Sequence, residues 1–308
     1  MMNLGVIDIG GTSIKFGVID NYGTLTSHSM IPTEAYKGGK ALLEKIKIIC
    51  DQLKKSHLIE GIAISSAGQI DSINGVIVYA TDNIPNYTGT PLAELVKNHT
   101  GLPVTVENDV NCTAMGEYWL GAAQGSENFL CITIGTGIGG ALFFNGNLYS
   151  GANFSAGEIG HMTLYPNGNK CTCGNKGCYE KYASSSALSE LVVEKYGPTM
   201  TLIDFFEKVK AKEEVACIIL EHWLEDLTIG LQSVIHILNP NLVVIGGGVS
   251  AQGEFLLNKI KTSLYKKILP NHRKNLKIKL AQHDNKANLY GAAKYFLEKK
   301  KEEEGRFS

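Results

Sequence analysis

Leu4-Gly5-Val6-Ile7-Asp8-Ile9-Gly10-Gly11-Thr12-Ser13-Ile14-Lys15-Phe16-Gly17-Val18-Ile19 holds two apolar runs divided by a glycine turn. Strand-length runs on either side of such a turn read as a β-hairpin. The pattern returns far along the chain in Phe129-Leu130-Cys131-Ile132-Thr133-Ile134, Gly135-Thr136-Gly137-Ile138-Gly139-Gly140 and Ala141-Leu142-Phe143-Phe144. Each glycine turn offers bare backbone N–H groups to an anion. Two of them on matching hairpins imply a duplicated α/β architecture with phosphates held between two lobes. Gly135-x-Gly137-x-x-Gly140 also has the form of the dinucleotide fingerprint, which requires its last glycine to open a helix. Here a strand and the tight turn Asn145-Gly146-Asn147 follow, so the Rossmann assignment is rejected.

Composition bounds the class. The 308 residues are 44% hydrophobic and 19% charged, with 34 glycines and a formal net charge of −1. Such a chain is globular and long enough for about two domains. Near-neutral charge argues against a general nucleic-acid surface. No stretch approaches the roughly 18 apolar residues of a membrane span, and no signal peptide opens the sequence, so a cytoplasmic location is expected. The tail Lys299-Lys300-Lys301-Glu302-Glu303-Glu304 reads as a solvated helix end.

Between the hairpins, helices are predicted over residues 40–55 and 90–99, and strands over 61–65 and 102–106. At Glu107-Asn108-Asp109-Val110-Asn111 the periodicity switches to helical through Trp119. A long helix over 215–238 should stop at Asn239-Pro240. A strand over 242–245 then enters Gly246-Gly247-Gly248, and a last helix covers about 286–300.

The densest chemistry lies between His161 and Cys178. One imidazole and the thiols of Cys171, Cys173 and Cys178 fall within eighteen residues, the ligand set of a closed Cys₃His zinc site. A disulfide is the alternative, but disulfides belong to oxidising compartments and small secreted domains. Cys50, Cys112, Cys131 and Cys217 lie in apolar segments and read as buried small hydrophobes. Glu158 and Glu180 flank the cluster, so the metal would brace a loop bearing two carboxylates. If one nitrogen of His161 binds zinc, the other is a fixed donor for an acceptor or a substrate hydroxyl. Asp8, closing an apolar strand beside Gly10-Gly11-Thr12, suits Mg²⁺ reached directly or through water. Asp109 sits where strand gives way to helix and is either an N-cap or a functional carboxylate held at a helix N-terminus.

In this order, Asp8-Ile9-Gly10-Gly11-Thr12, Glu107-Asn108-Asp109, Gly135-Thr136-Gly137-Ile138-Gly139-Gly140, Glu158-Ile159-Gly160-His161 and Cys171-x-Cys173-Gly174-x-x-Gly177-Cys178-x-Glu180 resemble the motifs of the ROK family of bacterial sugar kinases and sugar-responsive repressors. The resemblance runs from Asp8 to about Gly291. It implies an actin-like ATPase (ribonuclease H-like) fold of two α/β lobes around a cleft, one of residues 1–112 joined by 288–308, the other of 113–287. It implies that Asp109 is the catalytic base, that Gly68, Asn108, Glu158, His161 and Glu180 face the sugar, and that Gly10, Gly11, Thr12 and Gly135, Thr136, Gly137 hold the phosphates of ATP. Gly246, Gly247 and Gly248 would line the adenosine pocket. The expected cofactors are ATP, Mg²⁺ and structural Zn²⁺, the expected partners a small sugar and a second copy of the chain, with neither nucleic acid nor membrane. Family repressors carry an N-terminal helix-turn-helix; with seven residues before Asp8, DNA binding is not expected, and a non-catalytic sensor is the other alternative. The implied reaction is transfer of the γ-phosphate to O6 of a glucose-configured hexose, free or in a β-glucoside, with N-acetylmannosamine as rival. The loops Gly151–Ala156 and Asp82–Thr90 would set that choice, and within the latter Asn83-Ile84-Pro85-Asn86-Tyr87-Thr88-Gly89 resembles an aromatic-bearing loop beside the sugar in glucose-type members.

Overall fold

The computed structural model describes residues 2–81, 83–283 and 286–306. The chain forms two compact units, Met1–Gly125 with Leu148–Ala156 and Gln282–Ser308, and Ser126–Asn147 with Gly157–Ala281.

Unit 1 opens with β1 (Asn3–Ile9), β2 (Ser13–Asp20) and β3 (Leu25–Pro32), followed by α1 (Gly38–Ser56) and β4 (Gly61–Ser66). A small hairpin of β5 (Gln69–Asp71) and β6 (Val76–Tyr79) precedes α2 (Leu92–Thr100), β7 (Val104–Asn108) and α3 (Asp109–Leu120). The sheet order is β3-β2-β1-β4-β7, antiparallel within the meander and parallel from β1 through β4 to β7. Strands β1 and β4 are buried almost throughout, which explains their unbroken apolar runs. One sheet face packs on α1 and α2 through Ile46, Ile49, Leu53 and Val96.

The second unit repeats this plan. Strands β8 (Phe129–Ile134), β9 (Ile138–Phe144) and β10 (Asn147–Tyr149), the last starting at the end of the 126–147 segment and continuing into 148–156, precede the helices α4 (Glu180–Ala183), α5 (Ser185–Tyr196), α6 (Leu202–Lys210) and α7 (Glu214–Leu238). Then come β11 (Leu242–Gly246), α8 (Gly253–Lys267), α9 (Pro270–Arg273) and β12 (Lys277–Leu280). The order β10-β9-β8-β11-β12 again joins an antiparallel hairpin to parallel neighbours, so the duplicated hairpins are the same corner of two like sheets. Helix α7 ends where Asn239 turns left-handed, with the ring of Pro240 next in line.

The chain returns to unit 1 as α10 (Ala287–Arg306), which buries Leu289, Ala292, Ala293 and Phe296 on Leu4, Val6, Ile19, Ala63 and Cys112. Helix α3 packs alongside this helix and is buried without a break from Asn111 to Glu117. Only glycine permits the crossing: a Cβ on Gly291 would run into the Cys112 carbonyl, and one on Gly116 into that of Ala287. The division at residue 112 read from the sequence falls inside α3, which this packing keeps whole in unit 1.

Glu117 fastens the same region. Fully buried, it accepts backbone N–H bonds from Ala122 at 2.7 Å, Gln282 at 2.9 and 3.0 Å and His283 at 2.9 Å. Glu117→Ala strands these three donors, at about 1–3 kcal/mol for each buried group left unpaired. We expect urea unfolding to show a loss of roughly 3–5 kcal/mol, given incomplete additivity.

Candidate active site and metal centre

In unit 1 the register places Asp8 opposite Ser65, and Ser65 opposite Glu107, in one row across the C-terminal ends of three parallel strands. Ligands of open α/β sheets bind at such ends. Asp8 is 2% exposed. Its Oδ1 accepts from Ser65 Oγ at 2.8 Å and Asn288 Nδ2 at 2.9 Å, and its Oδ2 pairs with Lys15 Nζ at 3.2 Å. The Gly10-Gly11-Thr12 turn follows directly, closed by Gly10 N–H to the Ser13 carbonyl at 3.1 Å and by Thr33 Oγ1 to the Gly10 carbonyl at 2.6 Å.

The N-cap of α3 is Asn108, not Asp109. Asn108 Oδ1 accepts from the N–H groups of Val110 at 2.9 Å and Asn111 at 3.0 Å. Its Nδ2 donates to the Gly68 carbonyl at 2.9 Å and to Asp109 Oδ1 at 3.0 Å. Val110 N–H also reaches Asp109 Oδ1 at 3.0 Å. Both amide hydrogens and two acceptor positions of Asn108 are thus engaged, and Asp109 is a first-turn carboxylate whose direction its neighbour sets. The 82–90 loop carries the aromatic Tyr87. Tyr87 is 1% exposed and shares a 2.9 Å hydrogen bond with Ser66 Oγ, so it is a core anchor beneath the loop. Asp82, at the start of that loop, lies outside the described residues.

In unit 2, the ligand atoms of His161, Cys171, Cys173 and Cys178 all lie within 4.8 Å of one another. Cys173 and Cys178 Sγ are 3.6 Å apart, and Cys171 Sγ is 3.7 Å from His161 Nδ1. Zinc bonds of about 2.3 Å to sulfur and 2.0–2.1 Å to nitrogen give tetrahedral edges of about 3.6–3.8 Å. The cluster therefore has the donors and spacing for a closed tetrahedral site. Nδ1 faces the thiols, while Nε2 faces Glu158 Oε2 at 3.8 Å. Glu180 Oε1 lies 3.8 Å from Nδ1 and accepts the Cys171 thiol at 3.1 Å. Burial above all pushes the Cys171 thiol up to about 12, with Glu180 adding to the effect, so a metal has a proton to displace here. The loop is fastened to α7 by Tyr165 Oη donating to Asp226 and by buried Tyr179 donating to the Leu227 carbonyl at 2.6 Å.

The turn Gly135-Thr136-Gly137 lies against this cluster. Gly135 N–H donates to the Gly137 carbonyl at 3.0 Å, and a Cβ on Gly137 would sit 2.5 Å from Glu180 Oε2. Gly246 pairs with Thr133 across β8 and β11, so the Gly246-Gly247-Gly248 turn leaves the sheet beside the end of β8. Gly247 has φ +85°, and a Cβ there would fall 2.5 Å from the Ile134 carbonyl oxygen, so glycine is required. The two turns are neighbours at one end of adjacent strands.

The profile of the ROK family matches residues 4–299. The chain belongs to the ROK family. It is 34% identical over 307 residues to a glucokinase of Halalkalibacterium halodurans, covering 92% of both chains. Identity is 30% to a β-glucoside kinase of Listeria innocua, with 98% of this chain and 100% of that one covered. A ROK glucokinase from Streptomyces griseus, solved with glucose and AMPPNP, superposes with TM-score 0.83 at 31% identity, covering 95% and 98% of the two chains. The fold is accordingly the actin-like ATPase fold, built here from two like α/β units. Among the described residues of this ROK protein no helix is long and apolar enough to cross a membrane.

Three polar residues of the ROK chain lie outside the motifs read from the sequence, Lys15, Ser65 and Asn288, and Glu107 stood within a motif without a role. Lys15 was readable in principle, because it faces Asp8 in the hairpin register. Asn288 was not, since only the return of α10 brings it to Asp8 across 280 residues.

Proposed function

We propose that this ROK protein is an ATP-dependent sugar kinase that transfers the γ-phosphate to O6 of a glucose-configured hexose, free or in a β-glucoside. The observation that carries the reading is Asp109, a first-turn carboxylate aimed by Asn108 and Val110 beside the main chain of Gly68. Asp109 takes the proton of the sugar hydroxyl as its oxygen attacks the γ-phosphorus and the bond to the leaving ADP oxygen breaks. Positioning supplies much of the rate in phosphoryl transfer, which suits a base fixed at a capped helix end. Similarity to kinases of glucose and β-glucosides supports the substrate class.

In this reading His161 binds structural zinc through Nδ1 and gives Nε2–H to a sugar hydroxyl, with Glu158 and Glu180 accepting from others. Asn108 contacts the sugar by yielding one of its present bonds and otherwise positions Asp109. The turns Gly10-Gly11-Thr12 and Gly135-Thr136-Gly137 hold the phosphates, and Gly246-Gly247-Gly248 borders the adenosine. Mg²⁺ would neutralise charge on the β- and γ-oxygens; Asp8, already holding three donors, fits a role through water. A coupled ADP-release assay with glucose, cellobiose, N-acetylmannosamine, N-acetylglucosamine and fructose tests the reading. We expect the highest kcat/KM on glucose or cellobiose. Preference for N-acetylmannosamine would replace the substrate, and no turnover on any sugar would favour a sensor or repressor.

A further inference from the structure

The row across the strand ends of unit 1 contains one acid that the proposed chemistry leaves unused. Glu107 is 2% exposed and lies opposite Ser65, itself opposite Asp8. Its Oε1 accepts the backbone N–H of Asn108 at 2.7 Å and Asn111 Nδ2 at 3.0 Å. Its Oε2 is sealed from solvent and makes no hydrogen bond of ordinary geometry, with the Ser72 side chain as its polar neighbour. We propose that Glu107 is a positioning residue that fixes the Asn108-Asp109 turn by holding it from beneath at two points. This rests on the reading of Asp109 as the base.

The geometry supplies the reason. Asn108 orients Asp109 through its side chain, so any rotation of the Asn108 peptide is transmitted to the carboxylate. Glu107 Oε1 fixes that peptide by its N–H, while Asn111, one turn along α3, ties the same oxygen to the helix. One acceptor atom therefore sets the angle between the end of β7 and the start of α3. Burial, the largest influence, pushes the Glu107 carboxyl above the ordinary carboxylate range, and the bonds from Asn111 and Asn108 only partly offset it. What the turn uses is one acceptor oxygen of this side chain. Glutamine offers the same oxygen in nearly the same volume, whereas alanine offers none.

The test compares Glu107→Gln and Glu107→Ala in the full chain. Misplacing a reacting group by about 1 Å can cost on the order of a hundredfold in rate. We therefore expect Glu107→Ala to lower kcat by at least about tenfold with the KM for ATP within about twofold, and Glu107→Gln to stay within about threefold of wild type. Equal losses in the two variants, or an alanine variant with wild-type kcat, would overturn the proposal. Crystal structures of the variants decide without turnover, which separates this proposal from the kinase reading. The Asn108 peptide and Asp109 carboxylate should be displaced in the alanine variant and in place in the glutamine variant; a turn unmoved by alanine overturns it. Should the alanine variant fail to fold, Asn111→Leu, which removes one of the two points, is expected to show a smaller kcat loss at unchanged ATP KM. Wild-type kcat in that variant would count against the proposal.

Discussion

Asp109→Asn is expected to lower kcat for sugar phosphorylation by about 10²–10⁴-fold, the usual contribution of a positioned general base. The substitution is close to isosteric and keeps an oxygen for the bonds from Asn108 Nδ2 and Val110 N–H. Cap, helix and turn should therefore survive, with a melting temperature near that of wild type. What disappears is basicity at one atom. Sugar and ATP affinities, measured by calorimetry, are expected to stay within about threefold, because an interaction confined to the transition state shows in kcat. Turnover close to wild type in this variant would remove Asp109 from the base role.

The second large effect is expected at the metal centre. Cys178 is fully buried, with Cys173 Sγ at 3.6 Å. Cys178→Ser should abolish the single zinc expected per chain by elemental analysis, because a serine hydroxyl is neither soft nor readily ionised. Coordination supplies about 10–16 kcal/mol of folding energy in small zinc peptides. Here Tyr165 and Tyr179 still anchor the loop to α7, so unit 2 should stay folded while residues 158–180 loosen. We expect sugar affinity to fall by at least about tenfold, since His161 and Glu180 lose a common support, and ATP affinity to change less. Chelation should reproduce this. Zinc should also leave on acidification: the bound form needs thiolates, and protons returning to Cys171 compete for the site. Full sugar affinity in a metal-free sample would defeat the bracing role.

The sequence disclosed the parts of the fold that carry strong local patterns. The paired hairpins, α1, β4, α7 and its stop at Asn239 all have unbroken or periodic apolar runs. Strand β3 was not legible: it is an edge strand, mostly exposed, and Thr26-Ser27-His28-Ser29 has no apolar face to betray it. Strand β12 alternates Lys277-Ile278-Lys279-Leu280 over only four residues, too short to stand out. In the site, motif spacing was enough to group His161 with Cys171, Cys173 and Cys178, because the ligands lie on one loop. The cap was harder. Asn108 and Asp109 are both good N-cap residues, and only the backbone at Asn108, extended at φ −62° and ψ 147°, settles which one caps α3.

The close crossing of α3 and α10 also bears on synthesis. Gly291 can meet Cys112, and Asn288 can reach Asp8, only after 126–147 and 157–281 have been translated. Until then α3 lacks the helix that covers it, and the strand ends of unit 1 lack a hydrogen-bond donor to Asp8. A nascent chain can thus complete unit 2, with its Cys/His cluster, while unit 1 is still open. On the proposed kinase reading, competence for phosphate transfer would then arrive abruptly, late in translation, when the returning helix docks.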